Sequence, residues 1–176
     1  PAFVRMTARD AFWAAKIIMR FTREELAAIV ETGEYSDRDH ARYLLDVLVQ
    51  RQRKCGRFGI NRVNPLDRFR VENDVLKFAN LSEEYGFAEG ATRYRVKWSL
   101  YDNENGSVRP LEGPFEVDEP ETELPVPRYY RTERHLFLLA EIYSLNPAHP
   151  LWNERIGVYL RPTDRGYQVV GIERSS

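Results

Sequence analysis

YRVKWSL, residues 94–100, alternates large apolar and polar side chains without a break. Tyr94, Val96, Trp98 and Leu100 fall on one side, and Arg95, Lys97 and Ser99 on the other. A period of two is that of a strand with one face buried and one face wet. A helix would spread the same apolar residues around its axis and leave half of them in water. The chain around this stretch is therefore a sheet with a definite inside.

Working toward the carboxy terminus, Asp102 to Gly106 has turn composition. Pro110, Pro114, Pro120, Pro125 and Pro127 interrupt residues 110–127, so short edge-like strands are expected there. Leu136 to Tyr143 is largely apolar and suits a central strand. Asn146 to Pro150 is a loop. Arg155 to Leu160 and Tyr167 to Ile172 bracket the turn Pro162 to Gly166 as a hairpin.

Toward the amino terminus, Arg68 to Val71 and Val75 to Phe78 flank Glu72-Asn73-Asp74, a second hairpin. Leu81 to Tyr85 forms one helical turn ended by Gly86. Six or seven strands with regular turns imply an antiparallel β-sandwich over residues 65–176. The pattern resembles immunoglobulin-like or fibronectin-like modules, without their paired cysteines.

Residues 1–64 have a helical period instead. Thr7 to Asp10 and Thr22 to Glu25 have the form of capping boxes, each ahead of an apolar run. Gly33 suits a helix stop, and Ser36-Asp37 opens a third helix. The expected fold is α+β: an N-terminal three-helix bundle packed on a C-terminal antiparallel β-sandwich.

The third helix runs into RQRKCGRFG, residues 51–59. At about 100° per residue Cys55 shares a face with Ala41, Leu44, Leu45 and Leu48, while Arg42, Asp46, Arg53 and Arg57 lie roughly opposite. Cys55 is expected on the buried stripe. Acids open the helix and bases close it before Gly56, the polarity that the helix dipole favours. Gly56-Arg57-Phe58-Gly59 has the GXXG form of a KH loop, but Asn64-Pro65 follows too soon for the second helix such a loop needs.

A formal net charge of -1 argues against a dedicated polyanion binder. Charge is nevertheless uneven. Residues 51–70 carry seven Lys/Arg and the single acid Asp67, whereas Glu112, Glu116, Asp118, Glu119, Glu121 and Glu123 cluster without a base. One cysteine excludes an intrachain disulfide framework and a multi-thiolate metal site. No apolar run reaches 18 residues, so no helical membrane span is expected. The chain opens on Pro1, which suggests a processed or excised piece of a longer polypeptide.

Reaction signatures are sparse. There is no GxSxG elbow, no phosphate-binding Walker loop, and no HxxxH or HExxH pair among His40, His135 and His149, so neither cofactor nor metal is expected. The one constellation with acid–base groups is Arg131-Thr132-Glu133-Arg134-His135, in which Glu133 and His135 are the candidates for hydrolysis. Trp98, Tyr101, Tyr143 and Tyr159 are further rings for a sugar- or peptide-binding platform, though alternation turns Trp98 to the core. Tyr129, Tyr130 and Trp152, in loop-like contexts, are the better platform rings. The binding candidates are these three with Arg51, Arg53, Lys54, Arg57 and Arg62.

ARDAFWAAKIIMRFTREELAAIVETGEYSD, followed by YLLDVLVQRQRKCGR and VNPLDRF, resembles part of a group of long, uncharacterised bacterial proteins. The resemblance covers mainly residues 1–70, with an echo in YQVVGIERS. It implies an exported or envelope setting and a segment of a larger protein, and it brings no activity with it. The function expected is noncatalytic: an interaction or accessory segment that meets a protein partner or the remainder of a longer polypeptide. A hydrolase around residues 131–135 is the competing class. Nucleic-acid binding through residues 51–70 is the weaker one.

Overall fold

The computed structural model describes residues 5–117, 123–127 and 135–174. The chain divides into two compact units, Pro1–Val63 and Asn64–Ser176.

The first unit holds helices α1 (Ala8–Ile18), α2 (Arg23–Glu31) and α3 (Arg38–Ile60). Both capping boxes form. The Thr7 hydroxyl accepts from the Asp10 amide at 3.2 Å while Asp10 accepts from the Thr7 amide at 2.9 Å. Thr22 and Glu25 repeat the exchange at 3.2 and 2.8 Å. Asp37 caps α3 through the Asp39 amide at 2.8 Å. Each cap contributes about 1 kcal/mol by satisfying an amide that has no partner within the helix.

The long α3 holds the other two helices. The Gln52 carboxamide donates to the carbonyls of Ile18 and Phe21 at 2.9 and 2.7 Å, which closes the carboxy-terminal end of α1. Arg23 meets Asp46 at 2.7 Å, tying the start of α2 to α3. The seam with α1 is made of small residues. Ala11 and Ala15 are buried, and a Cβ built on Gly59 would lie 2.4 Å from the Ala11 carbonyl oxygen and 2.6 Å from the Ala15 Cβ. Glycine at 59 therefore lets two helix backbones approach closely.

Two expectations fail at this point for one reason. The helix does not stop before Gly56 but runs on to Ile60, with Gly56 buried inside it and Gly59 serving the seam with α1 as a small residue. The buried stripe accordingly passes through Gly56, Gly59 and Ile60, and Cys55 is exposed. Cys55 sits about 60° around the axis from Gln52, far enough to leave the contact.

The second unit is built of antiparallel strands: β1 (Leu66–Glu72), β2 (Val75–Asn80), β3 (Arg93–Asp102), β4 (Val108–Val117), β5 (Glu123–Pro125), β6 (Leu136–Leu145), β7 (Ile156–Thr163) and β8 (Gly166–Arg174). A short helix α4 (Leu81–Glu84) follows β2. One sheet has the order β1-β2-β5 and the other β4-β3-β6-β7-β8. Asn73 and Asp74 both take positive φ, 52° and 58°, as a two-residue primed turn between β1 and β2 requires.

Strand β3 alternates as its sequence dictates. Tyr94, Val96 and Trp98 are fully buried and Leu100 is nearly so. They join Leu66, Leu76, Phe78 and Leu124 of the three-stranded sheet, and Leu138, Ile142, Val158 and Leu160 of the five-stranded one, in a single hydrophobic cluster. Tyr94 meets Phe78 edge to face at 5.2 Å. Strand β6 is central, with β3 on one side and β7 on the other.

The proline-interrupted stretch departs from expectation. It is an edge, but β4 is ten residues long and includes Pro110 and Pro114. Its register shifts twice, opposite Val96, Trp98 and Ser99. These irregularities absorb the missing amide donors. Gly113 has φ 92°, and a Cβ there would lie 2.7 Å from the Val96 carbonyl oxygen.

The buried Asn64 and Ser144 side chains are paired, whereas the buried Trp98 Nε1 and Ser99 Oγ have no hydrogen-bond partner among the described residues. Asn64 donates to the Glu154 carbonyl at 2.8 Å and accepts from the Ser144 hydroxyl at 2.8 Å. Arg174, at the end of β8, donates to the carbonyls of Asn64 and Leu66 at the entry to β1.

Gly59→Ala tests the helix seam. On propensity alone alanine should stabilise a helix by about 1 kcal/mol. Here the added methyl meets backbone, and a net loss of about 1–3 kcal/mol is expected. Hydrogen exchange of α1 amides, followed by mass spectrometry, reads it. Unchanged or slower exchange would show that the helices do not touch at Gly59.

Candidate interaction surfaces

The cations of the basic stretch divide between two sides of α3. Arg51, Lys54 and Phe58 follow one another at three- and four-residue spacing and share a face. Arg62, just past the helix end, places its guanidinium 4.8 Å from the centre of the Phe58 ring. All four are exposed, Phe58 by 54 %. Cys55 lies in the same stripe. Arg53 and Arg57 lie on the opposite flank. Among the described residues no carboxylate pairs with Arg51, Lys54 or Arg62. The other two bases of the stretch are engaged, Arg68 with Glu84 at 2.8 Å and Arg70 with Glu72 at 2.9 Å.

The acidic stretch has local partners. Glu116 pairs with Arg93 and Arg95 at 3.1 and 3.0 Å, and Glu123 with Lys77 at 3.0 Å. Those bonds join neighbouring strands. Asp118, Glu119 and Glu121 lie outside the described residues.

The aromatic candidates fare unevenly. Trp152 is fully buried and is no binding ring. A 3-10 turn, Pro150–Trp152, carries it inward, where His149 stacks on it at 4.0 Å with ring planes 8° apart. His149 in turn accepts from the Glu89 amide at 3.2 Å. The pair pins a loop. Tyr129 and Tyr130 lie outside the described residues, as do Glu133 and the rest of 131–134. His135 directly precedes β6, with Nδ1 3.9 Å from Glu104 Oε1. Asp102, Glu104 and His135 bring three potential ligand atoms within 4.8 Å of one another. Both Asp102 oxygens already accept hydrogen bonds of the β3–β4 turn, from the Glu104 amide and the Asn105 carboxamide at 2.9 Å each. The cluster reads as closure of that hairpin.

Sequence reasoning missed the feature that pairing creates on the outer face of the five-stranded sheet. Register places Tyr101 opposite Phe137, Leu139 opposite Tyr159, and Tyr159 opposite Gly171. Tyr101 and Tyr159 meet edge to face at 5.0 Å, and Arg161 stands 5.5 Å from the Phe137 ring centre. Together with Asn103 and Val170 they line an open groove of about 390 Å³. Farther along the same face runs an ionic chain. Glu141 lies 3.3 Å from Lys97 and 3.6 Å from Arg155, which also binds Glu173, and the Tyr159 hydroxyl donates to Glu173 at 3.0 Å. Burial, then the hydrogen bond and charge of Glu173, push the Tyr159 phenol above its ordinary range. A second depression of about 540 Å³ lies between α2 and α3, with Val30 and Leu45 among its apolar lining and Glu31, Glu34, Arg38 and Arg42 among its charged lining.

Comparison of the chain with protein-family profiles, with characterised proteins and with solved structures finds no match. The function is therefore argued from these surfaces.

Two outcomes follow from the geometry. Cys55 should react with a thiol reagent in the native protein within a few-fold of its rate in the denatured chain, as followed by absorbance; strong protection would contradict its exposure. The second concerns Tyr159. Because its folded pKa is raised, its contribution to stability is fully present below the unfolded value near 10.0 and is lost as pH rises through the folded value. Glu173→Gln should bring the phenol back toward that value, as measured by carbon NMR titration of the tyrosine rings. An unchanged titration would disconnect Glu173 from Tyr159.

Proposed function

We propose that the chain is a noncatalytic interaction segment of a larger bacterial, exported assembly, and that the Arg51–Arg62 face of α3 docks an acidic protein surface. The observation that carries this reading is the stripe of three cations without carboxylate partners among the described residues, arranged around the exposed Phe58. Such a pattern combines an apolar anchor with charge that steers encounter and selects a partner. The same unit exposes Trp13 and Ile17, one turn apart on α1, which adds apolar area suited to association. A place inside a larger polypeptide is part of the same proposal.

The strand order supports a fibronectin-like reading of the second unit. In an immunoglobulin constant-type sandwich the fourth strand pairs with the fifth. Here β4 pairs with β3, and β8 extends the sheet beyond β7. Modules of this kind present surfaces and space out neighbours.

An acidic peptide tests the docking face. A fluorescent oligoglutamate should bind the protein, more weakly as salt rises. Arg51→Glu, Lys54→Glu and Arg62→Glu together should reduce binding by about ten-fold or more while the melting temperature stays within a few degrees. Equal binding by the triple variant would remove the proposal. A single-stranded oligonucleotide of equal charge that bound more tightly would favour nucleic acid instead.

A further inference from the structure

The outer face of the five-stranded sheet carries a second surface, independent of the α3 stripe. We infer that the groove between Tyr101, Phe137, Tyr159 and Gly171 binds an acidic sugar, a pyranose unit bearing a carboxylate.

The volume of about 390 Å³ falls in the range of about 300–1,000 Å³ typical of small-ligand sites. Its form comes from one missing side chain. Gly171 lies opposite Tyr159 in the β7–β8 pairing, so the sheet surface is bare there. Tyr101 and Tyr159, set edge to face, and Phe137 supply apolar ring surface.

Polar groups stand around that apolar floor. The Arg161 guanidinium, the Asn103 carboxamide and the Tyr101 hydroxyl have no hydrogen-bond or ion-pair partner among the described residues, although the Asn103 backbone amide donates to the His135 carbonyl at 2.9 Å. The Arg161 guanidinium is held beside the Phe137 ring at 5.5 Å, which orients its planar fork without neutralising it. Of the acids at this end of the sheet, Asp102 accepts hydrogen bonds within its turn, Glu104 Oε1 lies 3.9 Å from His135 Nδ1, and Glu173 binds Arg155 and Tyr159. An anion entering the groove therefore meets a cation free to form a bidentate pair.

The arrangement selects among anions. A pyranose has a face of C–H groups that suits a tyrosine ring, and hydroxyls around its rim for Asn103 and Tyr101. Its carboxylate would take Arg161. A flat aromatic acid would leave the Asn103 amide and the Tyr101 hydroxyl unmatched. An extended peptide gains affinity mainly by adding to a sheet edge, whereas this surface lies on a face whose backbone groups are already spent in the ladder.

Trigalacturonate is the probe, with maltotriose as its neutral counterpart. NMR titration of the full chain should shift Tyr101, Phe137 and Gly171 with a dissociation constant on the order of 1 mM or lower. The neutral sugar should bind about ten-fold more weakly, and Arg161→Gln should cost the acidic sugar a similar factor. Gly171→Val should fill the groove and abolish binding. Its Cβ would meet the Tyr159 ring at an ordinary 3.5 Å, so the melting temperature should hold. Full-strength binding by Gly171→Val, equal binding of the two sugars, or no shifts at about 10 mM sugar would each overturn the assignment. Tighter binding of tetraglutamate in the same groove would also overturn it. None of these outcomes bears on the α3 stripe.

Discussion

The alternation of β3 constrains everything on the strand-built unit. Once Tyr94, Val96 and Trp98 are sunk in the core, Arg95, Lys97, Ser99 and Tyr101 must stand on the other face. Strand β6 is locked to the same parity over ten residue pairs, from Arg93 with Leu145 to Asp102 with Leu136. A slip of one residue would expose Trp98 and bury Lys97. The ionic chain and the aromatic groove are thus the obligatory reverse side of the hydrophobic core. Their positions cannot drift without dismantling it.

That constraint also shows which parts of the structure were legible in the sequence. Local signals read well. The Thr7 and Thr22 capping boxes, the Asn73-Asp74 turn and the strand at 94–100 each depend on residues within one turn or one pleat. Glycine and proline misled wherever their role was tertiary. Gly56 looked like a helix stop, yet it is buried within α3, and Gly59 beyond it serves close packing against α1. Pro110 and Pro114 looked like strand breakers, yet an edge strand with shifted register accommodates them. Trp152 looked exposed because its neighbours are polar and proline-rich, whereas the 3-10 turn carries it inward. The groove was illegible because its residues lie on β3, β6, β7 and β8. Only pairing register brings them together, and a single sequence does not state register across distant strands.

Charge is used differently in the two units. On the sheets, cations and acids settle with each other across neighbouring strands, as Glu116 does with Arg93 and Arg95, and Lys77 with Glu123. Such exposed pairs stabilise by at most about 1 kcal/mol each, but they leave little net field. On α3 the stripe from Arg51 to Arg62 has no such counterweight among the described residues. A nearly neutral chain can in this way present a local positive surface, which net charge alone conceals.

The pairing order has a further consequence for how the molecule assembles. The ladders β1–β2, β3–β4, β6–β7 and β7–β8 each join strands adjacent in the chain, so each can zip from its own turn. The β3–β6 ladder cannot. It must bring together strands separated by all of β4 and β5, and the entropy of closing that loop is lost before any contact is gained. The ladder that unites the five-stranded sheet is accordingly its kinetic bottleneck. Until β3 and β6 meet, neither the core face nor its reverse exists, and the β3–β4 hairpin and the β6–β7–β8 meander stand apart with exposed edges.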